Sequence, residues 1–183
     1  MKKIIGIIGP IAAGKDRVAA YIKEKLHCPM YQISSELKEL AKEQGISINR
    51  RNLINYSRKL AATHGDDYLA RRILEQSNDE LIIIVGMRQI GQIDYLKTHS
   101  SFTLIGVDAE PKIRLNRVQN RKKIGDPMTL ETFIEIEKKD DGESVQKISD
   151  CMKRVDYTIK NNGDEEELYS NIEYIMKTIK LRQ

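Results

Sequence analysis

The sequence has few cysteines, no long apolar run and no low-complexity segment, and each absence excludes a class of protein. Its 183 residues include only Cys28 and Cys151, which are far apart and form no CxxC pair, so neither a disulfide framework nor a zinc site is expected. No stretch approaches the ~18 apolar residues of a membrane-spanning helix. We find no internal repeat and no linker rich in proline, glycine or serine. A single domain over residues 1–183 is therefore predicted.

The charge is mildly basic and is spread along the chain. The net charge is +4 and the isoelectric point about 8.9, and the basic residues form no single patch interleaved with aromatics, so we expect no nucleic-acid partner. The same surplus suits a protein that handles polyphosphates. The N-terminal apolar run stops at Pro10 and has no small-residue cleavage site, so we expect no signal peptide and a cytoplasmic location.

Short apolar runs alternate with longer amphipathic stretches, which predicts an α/β fold. The runs with strand length are 3–9, 30–34, 81–86, 102–108 and 156–160. The helical candidates are roughly 14–26, 35–44, 50–76, 90–98, 111–123, 129–138, 143–152 and 164–180. The repeated strand–helix order predicts a roughly five-stranded parallel sheet flanked by helices, with ligands at the carboxyl ends of the strands.

The stretch GPIAAGKD, residues 9–16, has the pattern of a phosphate-binding loop between a strand and an amphipathic helix. Its glycines let backbone N–H groups turn toward a phosphate, and the following helix adds its positive N-terminal end. Lys15 reaches the terminal phosphates as a point charge. The residues predicted to hold the nucleotide are Gly9, Pro10, Ile11, Ala12, Ala13, Gly14, Lys15, Asp16 and Arg17.

The last position of this loop departs from the usual pattern, in which Ser or Thr helps to hold Mg²⁺. This chain has Asp16 there. A carboxylate is a hard oxygen ligand that coordinates Mg²⁺ directly or through water. Its negative charge beside phosphates is favourable only with the metal present, so we predict Asp16 as the metal ligand.

With this loop the chain resembles the nucleoside monophosphate kinase branch of the P-loop kinases. More narrowly, it is similar to the small dephospho-CoA-kinase-like and adenylate-kinase-like proteins and to the deoxynucleoside monophosphate kinases of phages. The resemblance runs from IGIIGPIAAGKD to VDYTIKNNGDEEELYSNI and covers nearly the whole chain. It implies a three-layer P-loop kinase fold, ATP and Mg²⁺ as cofactors, an acceptor-binding helical segment at about 34–76 and a short helical lid at about 111–140.

Two segments resemble the parts of these kinases that bind the acceptor. In YQISSELKELAKEQG, Ser34 or Ser35 is a natural helix N-cap, and Lys38 lies one turn further on. In LIIIVGMRQIGQIDYL, Gly86 and Arg88 fit the family pattern Asp-Gly-x-Arg, whose arginine clamps the acceptor phosphate with a bidentate fork. A third segment, GDDYLARRIL, faces the acceptor in phage-type relatives. The resemblance thus implies an acceptor site made of Ser34, Ser35, Lys38, Asp67, Arg71, Gly86 and Arg88.

The family's Asp in this pattern, a magnesium or base residue, is Val85 here. One interpretation is that Asp16 takes over the work of the missing carboxylate. The other is that the enzyme is weakened. Restoring Asp at 85 and Ser at 16 tests the compensation.

The stretch EPKIRLNRVQNRKK, residues 110–123, resembles the lid helix. Its arginines recur at spacings of three and four, which places Arg114, Arg117 and Arg121 on one helical face. Phosphoryl transfer spreads negative charge over the phosphoryl oxygens in the transition state, so positioned cations supply most of the catalysis. Residues 122–128 are predicted to be a hinge or flap. The predicted catalytic residues are Lys15, Arg88, Arg117 and Arg121.

The C-terminal stretch IKNNG is similar to the loop that passes beside the adenine in dephospho-CoA kinases. The matching positions are Asn161, Asn162 and Gly163. Asn and Gly also favour tight turns for local reasons, so a purely structural role stays open.

These features predict an enzyme that transfers the γ-phosphoryl group of ATP to a small nucleotide acceptor, an NMP or dNMP. No general base is evident, which agrees with a phosphate-oxygen nucleophile that is already ionised. One alternative is dephospho-CoA kinase, whose ribose hydroxyl acceptor gains from a base. A second is a non-catalytic nucleotide-binding regulator, which Val85 supports. We expect a monomer or homodimer that binds small molecules.

Overall fold

The strands form where β-branched apolar runs are bounded by glycine or polar residues. The computed structural model describes residues 1–121, 129–142 and 147–180, and for 139–142 only the backbone. In this part of the chain the strands are β1 Lys3–Ile8, β2 Met30–Gln32, β3 Leu81–Val85, β4 Ser101–Asp108 and β5 Tyr157–Lys160. They pair in parallel in the order β2-β3-β1-β4-β5. The predicted five-stranded parallel sheet is confirmed.

Helices fill the connections between the strands and cover both faces of the sheet. They are α1 Lys15–Leu26, α2 Ile33–Glu43, α3 Arg50–His64, α4 Tyr68–Gln76, α5 Ile90–His99, α6 Pro111–Gln119, α7 Leu130–Gly142, α8 Ile148–Met152 and α9 Glu165–Thr178. None of these helices is long and apolar enough to cross a membrane.

Two apolar cores result, because alternate side chains of a strand point to opposite faces of the sheet. Ile4 and Ile8 of β1 pack with α2, α3, α4, α5 and α8 on one face. Ile5 and Ile7 pack with α1 and α9 on the other. Each fully buried isoleucine contributes roughly 1.5–3 kcal/mol relative to an exposed one. This double burial gives the predicted three-layer fold and holds the carboxyl ends of the strands at one edge.

Two predicted boundaries are wrong. The stretch 50–76 is not one helix, because α3 ends at His64 and Gly65 turns the chain with a φ of 96° before α4 begins. The predicted strand 30–34 is shorter, since β2 ends at Gln32, which pairs with Val85. Gln32 is in extended conformation and is the N-cap of α2, so neither Ser34 nor Ser35 caps this helix.

The lid region also differs from the expectation. Helix α6 ends at Gln119, so Arg121 lies in the turn beyond it, and the three arginines do not share one helical face. The predicted hinge at 122–128 lies outside the described residues, as does 143–146 of the predicted helix 143–152.

Candidate functional site

The phosphate loop lies between β1 and α1, at the carboxyl edge of the sheet. The turns after the neighbouring strands reach the same edge, with Gly86 after β3, Ala109 after β4 and Asn161 after β5. In parallel α/β sheets this edge is where ligands bind. The topology thus brings together segments that are distant in sequence.

Side chains from two other segments bind the carbonyl groups of the loop. Arg117 donates from Nη1 to the carbonyl oxygens of Ala12 and Ala13, both at 3.4 Å. Asn161 donates from Nδ2 to the carbonyl of Ala13 at 2.7 Å. Arg117 Nη2 also donates to the Asn161 carbonyl at 2.9 Å, so the two residues support each other. These contacts hold the loop from its outer side.

A buried arginine holds the start of the loop. Arg114 is 6% exposed, forms an ion pair with Glu137 of α7 and donates to the Ile11 carbonyl at 3.2 Å and to the Ala109 carbonyl at 2.8 Å. Its guanidinium also lies over the Phe133 ring. Arg114 therefore connects α6, α7 and the loop as a structural residue.

The N–H groups of the loop point away from these supports. In a trans peptide, the carbonyl of one residue and the N–H of the next point in opposite directions, and the described chain contains no cis peptide. With the carbonyls of Ile11 and Ala13 bound on the outer side, the amides of Ala12 and Gly14 face inward. In the part of the chain that the structure describes, five loop amides donate to no backbone acceptor: those of Ile11, Ala12, Gly14, Lys15 and Asp16. Successive free amides of this kind form an anion-binding concavity.

Packing holds this loop in a conformation that is otherwise unfavourable. Ala12 has a φ of 59°, a left-handed conformation that is uncommon for residues with a Cβ, and its methyl group packs against Val118 of α6 and Phe133 of α7. Gly14 has a φ of 101°. A Cβ at Gly14 would lie 2.2 Å from Asn161 Nδ2, so this position requires glycine for both conformation and space.

Lys15 is the cation at the mouth of the loop. Burial lowers the pKa of Lys15 below its ordinary value of 10.5, Asp16 opposes this shift, and the positive charges of Arg88 and Arg121 lower the pKa further. Charged groups shift a pKa in this way only when they lie near the titrating group. Arg88 and Arg121, two of the predicted catalytic residues, are thus near enough to Lys15 for their charges to act on it, and an arriving polyphosphate would offset this repulsion.

Next to the loop lies a cavity of about 780 Å³ between the sheet edge, α2, α3 and α7. Its wall includes Ile11 of the phosphate loop and Arg88, so the cavity opens beside the anion-binding concavity of the loop. Most of the wall is apolar, from Ile33, Leu37, Leu53, Ile54, Leu69 and Ile136. Its charged residues are Arg50, Arg51, Arg58 and Arg88, and no acidic residue lines it within the described chain.

The cavity includes some of the predicted acceptor residues and omits others. Ser34, Gly86 and Arg88 line it. Ser35 and Lys38 are exposed on α2 and do not.

Two further acceptor candidates form a contact with each other instead. Asp67 and Arg71 are joined by an ion pair of 3.2 Å outside the cavity wall, and Arg71 also donates to the His64 carbonyl. Their spacing of four residues on one helix explains the pairing.

Arg117 and the C-terminal loop take positions that the sequence did not specify. Arg117 contacts the outer side of the phosphate loop, whereas the prediction placed it on the transferring group. Burial, with the charge of Arg17 adding to it, lowers the pKa of Arg117.

Asn162 accepts a hydrogen bond from the Glu110 amide at 2.8 Å, where α6 begins. Gly163 lies in the turn before α9.

The cationic face of α3 was not predicted from the sequence. Arg51 and Arg58 are seven residues apart, which places them on one side of a helix about 10 Å apart along its axis. That spacing was the available signal, although it is equally typical of a solvated helix face.

Asp16 is the one loop residue suited to hold a metal. It is exposed in the first turn of α1, whereas Val85 is 2% exposed and packs in the core beneath the loop. The described residues contain no cluster of three His, Cys, Asp or Glu side chains. Mg²⁺ is commonly held by one or two carboxylates together with substrate phosphates. Asp16 therefore fits such a metal when phosphates occupy the loop.

Comparison with known proteins agrees with this geometry. Residues 5–143 match the AAA domain family. The chain is 28% identical over 182 residues to a UPF0200 protein of Methanococcus maripaludis strain C7, covering 97% of each chain. Its structure resembles shikimate kinase from Aquifex aeolicus vf5, with a TM-score of 0.61, 18% identity and coverage of 98% of this chain and 99% of that one. It also resembles an uncharacterised protein from Eubacterium ventriosum ATCC 27560, with a TM-score of 0.58, 21% identity and coverage of 99% and 100%. The predicted P-loop kinase fold is confirmed.

Proposed function

The chain belongs to the AAA domain family, and from this premise we propose that it is a phosphotransferase that moves the γ-phosphoryl group of ATP to a nucleoside or deoxynucleoside monophosphate. One observation carries the proposal. The phosphate loop, with Lys15 at its end, opens beside a cavity whose wall holds Ile11 and Arg88, and the charges of Arg88 and Arg121 both act on Lys15. A phosphoryl group that passes from the loop to the cavity would cross this cationic junction.

The donor phosphates would lie in the concavity of the loop. The inward amides of Ala12 and Gly14 and the N-terminal end of α1 would bind their oxygens. Lys15 would contact the terminal phosphates, and their negative charge would raise its pKa against the burial and the neighbouring arginines that lower it in the free protein. Asp16 would hold Mg²⁺, which when bound neutralises charge on the phosphate oxygens.

The acceptor would lie in the cavity with its phosphate toward Arg88. Arginine is suited to this role because its planar guanidinium donates two parallel hydrogen bonds to a phosphate. The apolar wall would hold the base and sugar. Because no acidic or histidine side chain lines the cavity in the described residues, a nucleophile that is already ionised, such as a phosphate oxygen, suits the site better than a hydroxyl.

Catalysis would consist mainly of positioning and of stabilising negative charge. Arg88 would orient the attacking phosphate oxygen, while Lys15 and Arg121 would stabilise the charge that spreads over the transferring group. Arg117 would act from the outer side of the loop and keep its amides directed inward. The oligomeric state, the cytoplasmic location and the absence of a nucleic-acid partner stay predictions.

The direct test is a measurement of ADP release with ATP, Mg²⁺ and a panel of NMPs, dNMPs and dephospho-CoA. We expect turnover with one or more monophosphates. Arg88→Lys keeps the charge but loses the bidentate fork, so kcat/KM for the acceptor should fall roughly 10- to 100-fold. Lys59→Ala removes an exposed cation of α3 outside the cavity wall and should leave the rate unchanged.

The panel also separates the alternatives. Turnover of dephospho-CoA alone would identify the acceptor as a ribose hydroxyl and refute the monophosphate proposal. ATP binding without turnover of any acceptor would favour the regulator, the alternative that the buried Val85 supports.

A further inference from the structure

Gln89, the residue that follows Arg88, has a buried side-chain atom without a partner. It is 5% exposed, precedes α5 as its N-cap and lines the cavity. Its Nε2 atom is shielded from solvent and meets no acceptor in the part of the chain that the structure describes. Folded proteins pair nearly all buried polar groups, because an unpaired donor has lost its hydrogen bonds to water. Because Gln89 itself lines the cavity, a small shift of its side chain on ligand binding would bring this unpaired donor to an acceptor atom of the ligand.

Neighbouring hydrogen bonds determine which end of this amide is left over. The backbone N–H groups of Arg88 and Gln89 donate to Gln92 Oε1, at 3.0 and 3.4 Å. A backbone N–H can only donate, so the oxygen of Gln92 must face them. Gln92 Nε2 then donates to Gln89 Oε1 at 3.0 Å. If the oxygen and nitrogen of the Gln89 amide exchanged places, the NH₂ group of Gln89 would face the NH₂ group of Gln92. The unpaired end of Gln89 is therefore its NH₂ group, which is a donor.

The surroundings indicate the chemistry of the missing partner. Leu37, Leu53 and Leu69 give this wall an apolar character that suits a planar ring. Arginines supply the cavity's charges, and they bind anionic oxygens more strongly than a neutral amide does. The amide of Gln89 is therefore better matched to a neutral acceptor atom within an otherwise apolar group.

We propose that Gln89 is a specificity residue whose Nε2 donates to a carbonyl oxygen or ring nitrogen of the base of the acceptor nucleotide. This inference rests on the proposed function and adds to it how the base is recognised. A base that presents an acceptor atom to Gln89 satisfies the buried donor. A base that presents an NH₂ group leaves two donors facing each other and is rejected.

Two variants test the donor. Gln89→Glu still offers an oxygen to Gln92 but has no NH₂ group, and Gln89→Met removes both polar atoms at similar size. Gln76→Met makes the same chemical change at an exposed position outside the cavity and is the matched control. The assay measures KM for the best NMP or dNMP, KM for ATP, and the inhibition constant of the corresponding sugar 5-phosphate, which lacks the base.

We expect both Gln89 variants to raise KM for the nucleotide acceptor about tenfold or more. KM for ATP and the inhibition constant of the sugar phosphate should stay within about twofold of wild type, because neither measures a contact to the acceptor base. An unchanged acceptor KM, or a parallel rise for the sugar phosphate, would overturn the inference while wild-type turnover leaves the proposed function standing. If wild type turns over no monophosphate at all, the proposed function fails first and the base contact fails with it.

Discussion

Replacing Gly14 by alanine tests the structure of the phosphate loop most directly. The new Cβ would meet two obstacles, the left-handed backbone with a φ of 101° and Asn161 Nδ2 at 2.2 Å. The backbone conformation costs about 1–2 kcal/mol for a residue with a Cβ. The contact would displace Asn161 from its hydrogen bond to the Ala13 carbonyl, and leaving a buried polar group unpaired costs about 1–3 kcal/mol.

The expected loss of unfolding free energy is therefore about 2–5 kcal/mol. For a domain of this size, ~1 kcal/mol corresponds to roughly 2–4 °C in Tm, so Gly14→Ala should melt about 4–20 °C below wild type. Urea denaturation measures the free energy directly. ATP should also give a smaller thermal shift than in wild type, because displaced loop carbonyls turn the opposing amides away from the phosphates.

A double-mutant cycle with Asn161→Ala isolates the contact. Asn161→Ala alone removes the hydrogen bond and should cost about 1–3 kcal/mol. In the double variant the alanine at 14 meets no amide, and the hydrogen bond between Asn161 and the Ala13 carbonyl is lost only once, so the two costs should not add. We expect the double variant to be more stable than the sum of the single effects by about 1–3 kcal/mol. Additivity within ~0.5 kcal/mol would refute the placement of Asn161 against the loop.

Other perturbations probe the cations and the metal ligand. The pKa of Lys15 lies below 10.5 in the free protein, so ATP affinity should fall as the pH rises through that lowered pKa, and calorimetry in this pH range should detect proton uptake on ATP binding. Lys15→Met should bind ATP weakly and show neither this pH dependence nor the proton uptake. Val85→Asp places a carboxylate in the apolar core and should cost at least ~2 kcal/mol in urea denaturation; an unaffected stability would contradict the burial of Val85. Asp16→Ser should weaken the Mg²⁺ dependence of ATP binding. If Asp16→Ser and Val85→Asp each leave the activity unchanged, the carboxylate at 16 does not compensate for the one missing at 85. Arg117→Ala should weaken binding of inorganic tripolyphosphate as much as that of ATP, because it supports the loop; a loss confined to ATP would instead indicate a contact to the adenosine part.

Much of the fold follows from local pattern. Apolar runs of strand length, such as LIIIVG, and the strand–loop–helix around GPIAAGKD depend on neighbouring residues, and they were predicted nearly to their boundaries. Lys15 and Arg88 were both predicted as catalytic residues, Lys15 from the loop motif and Arg88 from the resemblance, and the sheet order places their strands β1 and β3 side by side. The break at Gly65, where φ is 96°, was missed, although a glycine is a common end of a helix and was visible in the sequence.

Residues far apart in sequence were assigned less well, for a physical reason. The spacing of three and four residues makes Arg114, Arg117 and Arg121 equivalent in the sequence. In the structure Arg114 pairs with Glu137, Arg117 binds loop carbonyls, and the charge of Arg121 acts on Lys15. Their roles depend on which partner the tertiary fold brings within hydrogen-bonding distance. The unpaired amide of Gln89 depends in the same way on its buried surroundings. Local sequence determined the elements and the phosphate loop, because their geometry is set within a few residues. The fold alone decided which charges meet and which donors stay unpaired, because those depend on distances between separate segments, 23 residues apart in the Arg114–Glu137 ion pair and 148 apart in the Asn161–Ala13 hydrogen bond.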